Sequence, residues 1–456
     1  MRSTVSAPKR SAAIVSVAVA ALMVGAVGVA AQSPAPSATP VPTLPPALVV
    51  SGLPVPSPAA AQLGDVSALI NETDQVPYSA VKATIDYCNV AAGINVQANY
   101  VQHETVQNSI SQRLTSTPED IIKWFAGHRL RTFADAGLLA NIDDVWADIG
   151  ANYSDAFKEA SKGTDGHYYF VPILNYPWVV NYSKSLFAEK GYTIPKTIDE
   201  FVALAQQMQK DGLIPISFAD QQGWPAQGTF DILNMRMNGY QFHEDLLAGK
   251  EKWTDPRVAA VFTEWAKLLP YMDTQATGRQ WQDAAKKVFI DKTAGMMFLG
   301  TFAAQAADQK NLADVGFFPF PLMGTQFDSE NAIDAPIDGF VLSANPKNPD
   351  AAKAFLRCVA TAPAERTYVQ IDSGNVAAVS NADTSAYTQL QKDAASVIAG
   401  AGKIAQYLDR DTRSDFAGPS GMQLFLQKFL ENPNQDMTAF LGGIQAYYDS
   451  LGTEGQ

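Results

Sequence analysis

Residues Glu119–Leu139 read EDIIKWFAGHRLRTFADAGLL. The first part, EDIIKWF, is a short apolar run of strand length, ending on the aromatic pair Trp124-Phe125. Gly127 follows, and then HRLRTFADAGLL places Leu130, Phe133 and Ala134 on one helical face. Gly137 stands where a helix ends, with Leu138 able to fold back on the last turn. Strand, glycine turn, helix is the unit from which α/β sheets are built, and ligands collect at their strand-end loops. Trp124 and Phe125 are therefore either core residues at a strand end or a flat platform presented to a ligand.

The same alternation extends in both directions. Val66–Asn71 and Ile94–Val101 read as strands, while Tyr78–Cys88 carries Val81, Ile85 and Cys88 on one helical stripe. Tyr168–Leu174, Pro177–Ser183 and Pro336–Ala344 read as further strands, and Ala294–Phe302 is a fully apolar run. A helix starts at Thr197, which forms a capping-box spacing with Glu200, and stops at Gly212. Asp255–Tyr271 and Asn348–Thr361 are amphipathic helices, and the chain is mostly helical from Ser385. No internal repeat and no long interior linker separates these elements, so an α/β fold of two interleaved domains is expected.

The 456-residue chain opens with Arg2, Lys9 and Arg10, then an apolar run, Ala12–Ala31, closed by Val29-Ala30-Ala31. That pattern predicts a signal peptide over 1–31, with an uncleaved anchor as the alternative. Nine of the 27 prolines fall in Gln32–Ala60. Such a stretch favours extended chain without a core, so 32–61 is expected to be a linker and folded sequence to begin near Leu63. The net charge of −13 becomes −16 once Arg2, Lys9 and Arg10 are removed, and no basic cluster points to nucleic acid. Cys88 and Cys358 are the only cysteines; one bridge in an oxidising compartment and two buried thiols are both open.

Catalytic motifs are missing: there is no phosphate-cradling Gly-x-x-x-x-Gly-Lys-Ser/Thr, no Gly-x-Ser-x-Gly and no His-Glu-x-x-His. His103, His128, His167 and His243 lack metal-ligand spacing, and Asp143-Asp144 read as a helix entry rather than an acid/base couple. Neither metal nor cofactor is expected. What recurs is aromatics beside Gly, Pro or Asn at the ends of apolar runs: Trp124-Phe125, Tyr176-Pro177-Trp178, Gly223-Trp224-Pro225 and Gly300-Thr301-Phe302. Aromatic faces pack on the apolar faces of sugar rings, while Asp, Glu and Asn take the hydroxyls.

At these residues the chain resembles the family 1 extracellular solute-binding proteins, the maltose-binding-protein-like carbohydrate-binding components of ABC importers. PEDIIKWFAGHRLRTFADAGLLANIDDVW resembles the family's first-lobe signature, and VPILNYPWVVNYSKSLF its crossing into the second lobe. GYTIPKTIDEFVALAQQM, FIDKTAGMMFLGTF and NPDAAKAFLRCVAT follow in family order, so the resemblance runs from about Gly64 to the C-terminus. Phe302 replaces the family's usual Trp, Ala126-Gly127-His128 replaces its polar contact, and its lipoprotein cysteine is absent.

The resemblance implies a two-lobed periplasmic-binding-protein fold with a hinge and an interlobe cleft. The first lobe would be 62–176 plus 337–390 and the second 177–336 plus 391–456, with Cys88 and Cys358 in the same lobe. Glu72 and Asp338 would take ligand hydroxyls from the first lobe, with Trp124 as the platform and Phe125 as core. Trp178, Trp224, Asp231 and Phe302 would contribute to ligand binding from elsewhere in the cleft. The implied protein is an exported, monomeric binder, not an enzyme. It would deliver a mono- or oligosaccharide to membrane permease subunits and would take no nucleic acid. A secreted carbohydrate-active enzyme, or the same fold with a non-sugar solute, are the alternatives.

Overall fold

A computed structural model describes residues 43–452. The expected signal peptide and the start of the linker lie outside the described residues. Twelve strands are found among the described residues: β1 (Gly64–Ile70), β2 (Ile94–Tyr100), β3 (Ile121–Phe125), β4 (Phe170–Asn175), β5 (Trp178–Ser183), β6 (Ile214–Ser217), β7 (Ala294–Gly300), β8 (Val315–Phe318), β9 (Ala332–Asp334), β10 (Ile337–Leu342), β11 (Val376–Ala377) and β12 (Lys403–Ala405).

They form a six-stranded sheet in the order β11-β4-β10-β3-β1-β2, a four-stranded sheet β6-β7-β5-β8, and the pair β12-β9. In the larger sheet β1 runs parallel to β2 and β3, while β10 is antiparallel to both β3 and β4. Strands β4 and β5 are separated only by Tyr176-Pro177 yet belong to different sheets, and Ala335-Pro336 joins β9 to β10. Proline has no N–H for a ladder and a fixed φ, so each Pro breaks the run where the chain leaves one sheet for another. The two sheets, each with its helices, are the lobes.

Strand β3 lies between β1 and β10 and is buried along its whole length. A strand covered on both faces reads as a continuous apolar run, which is why IIKWF does not alternate. Gly127 then turns the chain at φ 117°, where a Cβ would lie 2.8 Å from the Arg410 carbonyl oxygen. The helix His128–Asp135 buries Leu130, Phe133 and Ala134. Gly137 ends it in the left-handed region, and the Leu138 N–H donates back to the Phe133 carbonyl at 3.0 Å.

The folded chain starts earlier than Leu63. The Leu48 N–H donates to Ser79 Oγ at 2.9 Å, the Ala59 N–H to the Val90 carbonyl at 3.0 Å, and Gln370 Nε2 to the Ser51 carbonyl at 3.1 Å. Leu48, Val50 and Leu53 pack against the core. A Pro/Ala/Ser-rich segment cannot build a core of its own, but its backbone groups and few aliphatic side chains find partners on the helix Gln75–Ala92 and its neighbours. Cys88 and Cys358 are bonded to each other, with Cα atoms 5.8 Å apart, and join that helix to the helix Pro349–Val359.

Candidate functional site

A cavity of about 600 Å³ opens between the lobes. On the first-sheet side its wall is charged. Glu72 follows β1, Lys123 is the middle residue of β3, and Asp338 stands on β10. Lys123 Nζ meets Glu72 Oε1 at 2.6 Å, and the Tyr368 hydroxyl donates to the same oxygen at 2.7 Å. Arg410 Nη1 reaches Asp338 Oδ1 at 2.7 Å, and its Nη2 donates to the Tyr176 hydroxyl at 3.0 Å.

Burial shifts every one of these groups. It raises Glu72 above the usual carboxylate range, with Lys123 offsetting only part of the rise. Burial alone would lower Lys123, but Glu72 and Asp338 outweigh it and hold the ammonium above its ordinary value. Burial would likewise raise Asp338; Arg410 and Lys123 outweigh it and hold this carboxyl low. The geometry therefore keeps two ion pairs on the wall, each cation holding one carboxylate.

The facing wall is aromatic. Trp224 caps the helix Pro225–Asn238, whose entry is fixed by Asp220 Oδ1 accepting from the Ala226 N–H at 2.8 Å. Phe302 stands edge-on to Tyr176 at 5.0 Å and to Trp281 at 5.3 Å, with Trp224 at 5.9 Å. These four rings, with Tyr407, line the cavity. Several polar atoms of lining residues are buried with no hydrogen-bond partner among the described residues. They are the acceptors Asn71 Oδ1, Glu72 Oε2 and Asp372 Oδ1, the donor Trp224 Nε1 and the Tyr407 hydroxyl, while Asp409 Oδ1 and Arg410 Nε, also without a hydrogen bond, face each other at 3.9 Å. Unpaired buried polar groups are costly, so a ligand supplying complementary partners binds them with gain.

Residues 71–366 match the bacterial extracellular solute-binding protein family. The chain belongs to that family. Among solved structures it is similar to the bacterial solute receptor AcbH, described as having an exclusive substrate preference for β-D-galactopyranose. The two are 41% identical with a TM-score of 0.83, over 85% of this chain and 99% of that one. It is also 28% identical over 289 residues to an uncharacterized ABC transporter extracellular-binding protein of Pyrococcus horikoshii, covering 62% of this chain and 63% of that protein. The multiple sugar-binding protein of Streptococcus mutans is 22% identical over 65% of this chain and 75% of its own length. The alignment thus spans less than two thirds of the Pyrococcus relative.

In this solute-binding protein the cavity gathers Glu72, Trp224, Phe302 and Asp338 among the residues expected from sequence. Three others lie behind its walls. Trp124 is 1% exposed and stacks on Phe125 with ring centroids 4.1 Å apart, with Phe133 beside it and Arg129 over its face. Lys123 lines the cavity and Trp124 does not, being enclosed by Phe125, Phe133 and Arg129, so Trp124 is core and not the platform. Trp178 is also buried. It packs edge-on to Tyr407 at 5.0 Å and fills the space over Gly228, where a Cβ would lie 2.9 Å from its ring. Asp231 is wholly buried and accepts from the Leu408 N–H at 2.8 Å. It holds the turn Leu408–Asp411 that presents Asp409 and Arg410 to the cavity.

Sequence reasoning missed Lys123, Tyr368, Asp372, Tyr407, Asp409 and Arg410. Lys123 had a readable signal, since a lysine in the middle of a fully apolar strand must find a counter-charge. The rest come from helix ends and turns far along the chain, and nothing local marks them.

Proposed function

We propose that this protein captures a neutral mono- or oligosaccharide between its lobes, outside the cytoplasm, and delivers it unchanged to the membrane permease of an ABC importer. One observation carries the reading: buried polar atoms that accept no hydrogen bond from, and donate none to, the described residues stand opposite a box of aromatic rings. A pyranose offers both complements, hydroxyls around its rim and C–H faces above and below. The likeness to AcbH makes β-D-galactopyranose the first ligand to test.

Capture would proceed by hinge closure about the crossings at Tyr176-Pro177 and Ala335-Pro336. The proposed lobes are 62–176 with 337–390, and 177–336 with 391–456. A ligand that touches both lobes binds the closed form better and so shifts the population toward it. The permease would recognise that form and open it, with ATP hydrolysed by another subunit. The protein itself would act as an exported monomer.

The binder reading is favoured over a glycosidase by the family match over residues 71–366. A thermal-shift screen against sugars tests the proposal. A ligand at 100 times its Kd should stabilise the protein by about 2.7 kcal/mol. No shift with any mono- or oligosaccharide would overturn the sugar reading, and shorter products after incubation with an oligosaccharide would overturn the binder reading.

A further inference from the structure

Asp372 stands where the two lobes meet the cavity at once. It follows the helix Ala362–Ile371 and is wholly buried on the cavity wall. Its Oδ2 accepts from Gln305 Nε2 at 2.7 Å, and its Oδ1 has no hydrogen-bond partner among the described residues. Gln305 belongs to the turn Thr301–Ala306 that follows β7 of the other sheet. Loop and turn are in close contact: Thr301 Oγ1 donates to the Gly374 carbonyl at 2.7 Å, and a Cβ at Gly374 would lie 2.6 Å from Phe302 Cα. The same turn carries Phe302 into the aromatic wall.

The charges around Asp372 do not settle it. Glu72 faces it from the end of β1, Lys123 from β3, and Tyr368 from its own helix, while the turn 301–306 offers only amide, hydroxyl and aromatic groups. Unlike Glu72 and Asp338, it has no cation in ion-pair contact among the described residues. Burial, and secondarily Glu72, push this carboxyl up to about 7, against the donors Gln305 and the Gly374 N–H and the more distant Lys123.

Resting on the sugar-binding reading, we propose that Asp372 is a ligand-recognition residue through which capture is coupled to the release of one proton. In the empty protein below neutral pH the carboxyl holds a proton. A ligand hydroxyl that donates to Oδ1, together with Gln305 on Oδ2, favours the carboxylate, and the displaced proton leaves to solvent. Affinity therefore rises with pH until Asp372 is ionised in the empty protein and levels off above that point. A solute loaded outside the cell is held less tightly as the surroundings acidify.

The test is calorimetric titration of the full mature chain between pH 5.5 and 8.5. D-galactose is the first probe, followed by a panel of neutral hexoses and disaccharides, each in two buffers of different ionisation enthalpy. Below the midpoint, affinity should improve by about tenfold per pH unit, with close to one proton released per ligand bound at pH 6. Asp372→Asn keeps an acceptor for Gln305 but cannot ionise, so its profile should be flat over this range, with no buffer dependence. Gln305→Leu removes a donor that stabilises the carboxylate. It should move the wild-type profile to higher pH, a displacement that a merely structural role would not cause, and it decides the matter should Asp372→Asn fail to fold. A flat wild-type profile, an unchanged slope in Asp372→Asn, or an unmoved midpoint in Gln305→Leu overturns the proton coupling while leaving the sugar reading intact. Absence of binding by every sugar at every pH overturns both.

Discussion

Lys123 and Glu72 meet at 2.6 Å on the wall of the interlobe cavity, the first from β3 and the second from just past the end of the adjacent β1. Their side chains are 4% and 12% exposed. Removing one partner of so buried a pair leaves the other charge without compensation.

Lys123→Met should therefore destabilise the protein by about 3–5 kcal/mol, read from the urea midpoint. The double variant Lys123→Met, Glu72→Gln should recover much of that stability without recovering ligand affinity. Equal stability in the single and double variants would show that the pair is not the source of the loss.

The two tryptophans Trp124 and Trp224 should separate fold from site. Trp124→Ala empties a ring-sized volume in a packed core and should cost about 3–5 kcal/mol, with the affinity of the remaining folded protein within twofold of wild type. Trp224→Ala should melt close to wild type but bind at least about tenfold more weakly, a loss of about 1.4 kcal/mol. Melting curves paired with ligand titrations distinguish these outcomes.

The Cys88–Cys358 bridge spans 270 residues of sequence. Cross-links that close long loops constrain the unfolded chain, so Cys88→Ser with Cys358→Ser should lower stability by about 2–5 kcal/mol. Reduction of the wild type should reproduce the loss in a denaturant melt. Because the bridge joins two helices on one side of the molecule, ligand affinity of the reduced, still-folded protein should be unchanged.

Stability should fall as pH rises beyond the ordinary carboxyl range. Burial, then Asp411, push Glu244 up to about 8, and burial with Asp231 and Glu244 raises the wholly buried Asp334, neither of whose carboxyl oxygens has a hydrogen-bond partner among the described residues. A raised carboxyl keeps its proton in the folded state while the unfolded chain has lost it, so its contribution is full below about pH 4.5 and lost toward pH 8 and above. Denaturant melts at pH 6 and pH 9 should show wild type less stable at pH 9. Asp334→Asn, which carries no charge at either pH, should narrow that difference. A difference as wide as in wild type would show that Asp334 does not take part.

How much was legible in the sequence can be argued from particular elements. EDIIKWFAGHRLRTFADAGLL was readable as strand, turn and helix because glycine conformation and helical spacing are local properties. Glu72, Trp224, Phe302 and Asp338 were readable as cleft-facing residues because they stand near a strand end or in a loop that leaves one, where an α/β fold exposes side chains to a cleft. Trp124 was assigned to the wrong face because both faces of β3 are covered, and an unbroken apolar run carries no phase.

By itself, then, the sequence determined the α/β class, the strand and helix sites, the interleaving of two lobes and the family. Those follow from periodicity, turn chemistry and order along the chain. Only the tertiary structure decided which side of β3 faces the cavity, that the cysteines are joined, and that Arg410, Asp409 and Tyr407 complete a wall begun by Glu72 and Lys123. The reason is that burial and charge pairing are set by neighbours brought from distant parts of the chain, and no local pattern records which neighbour will arrive.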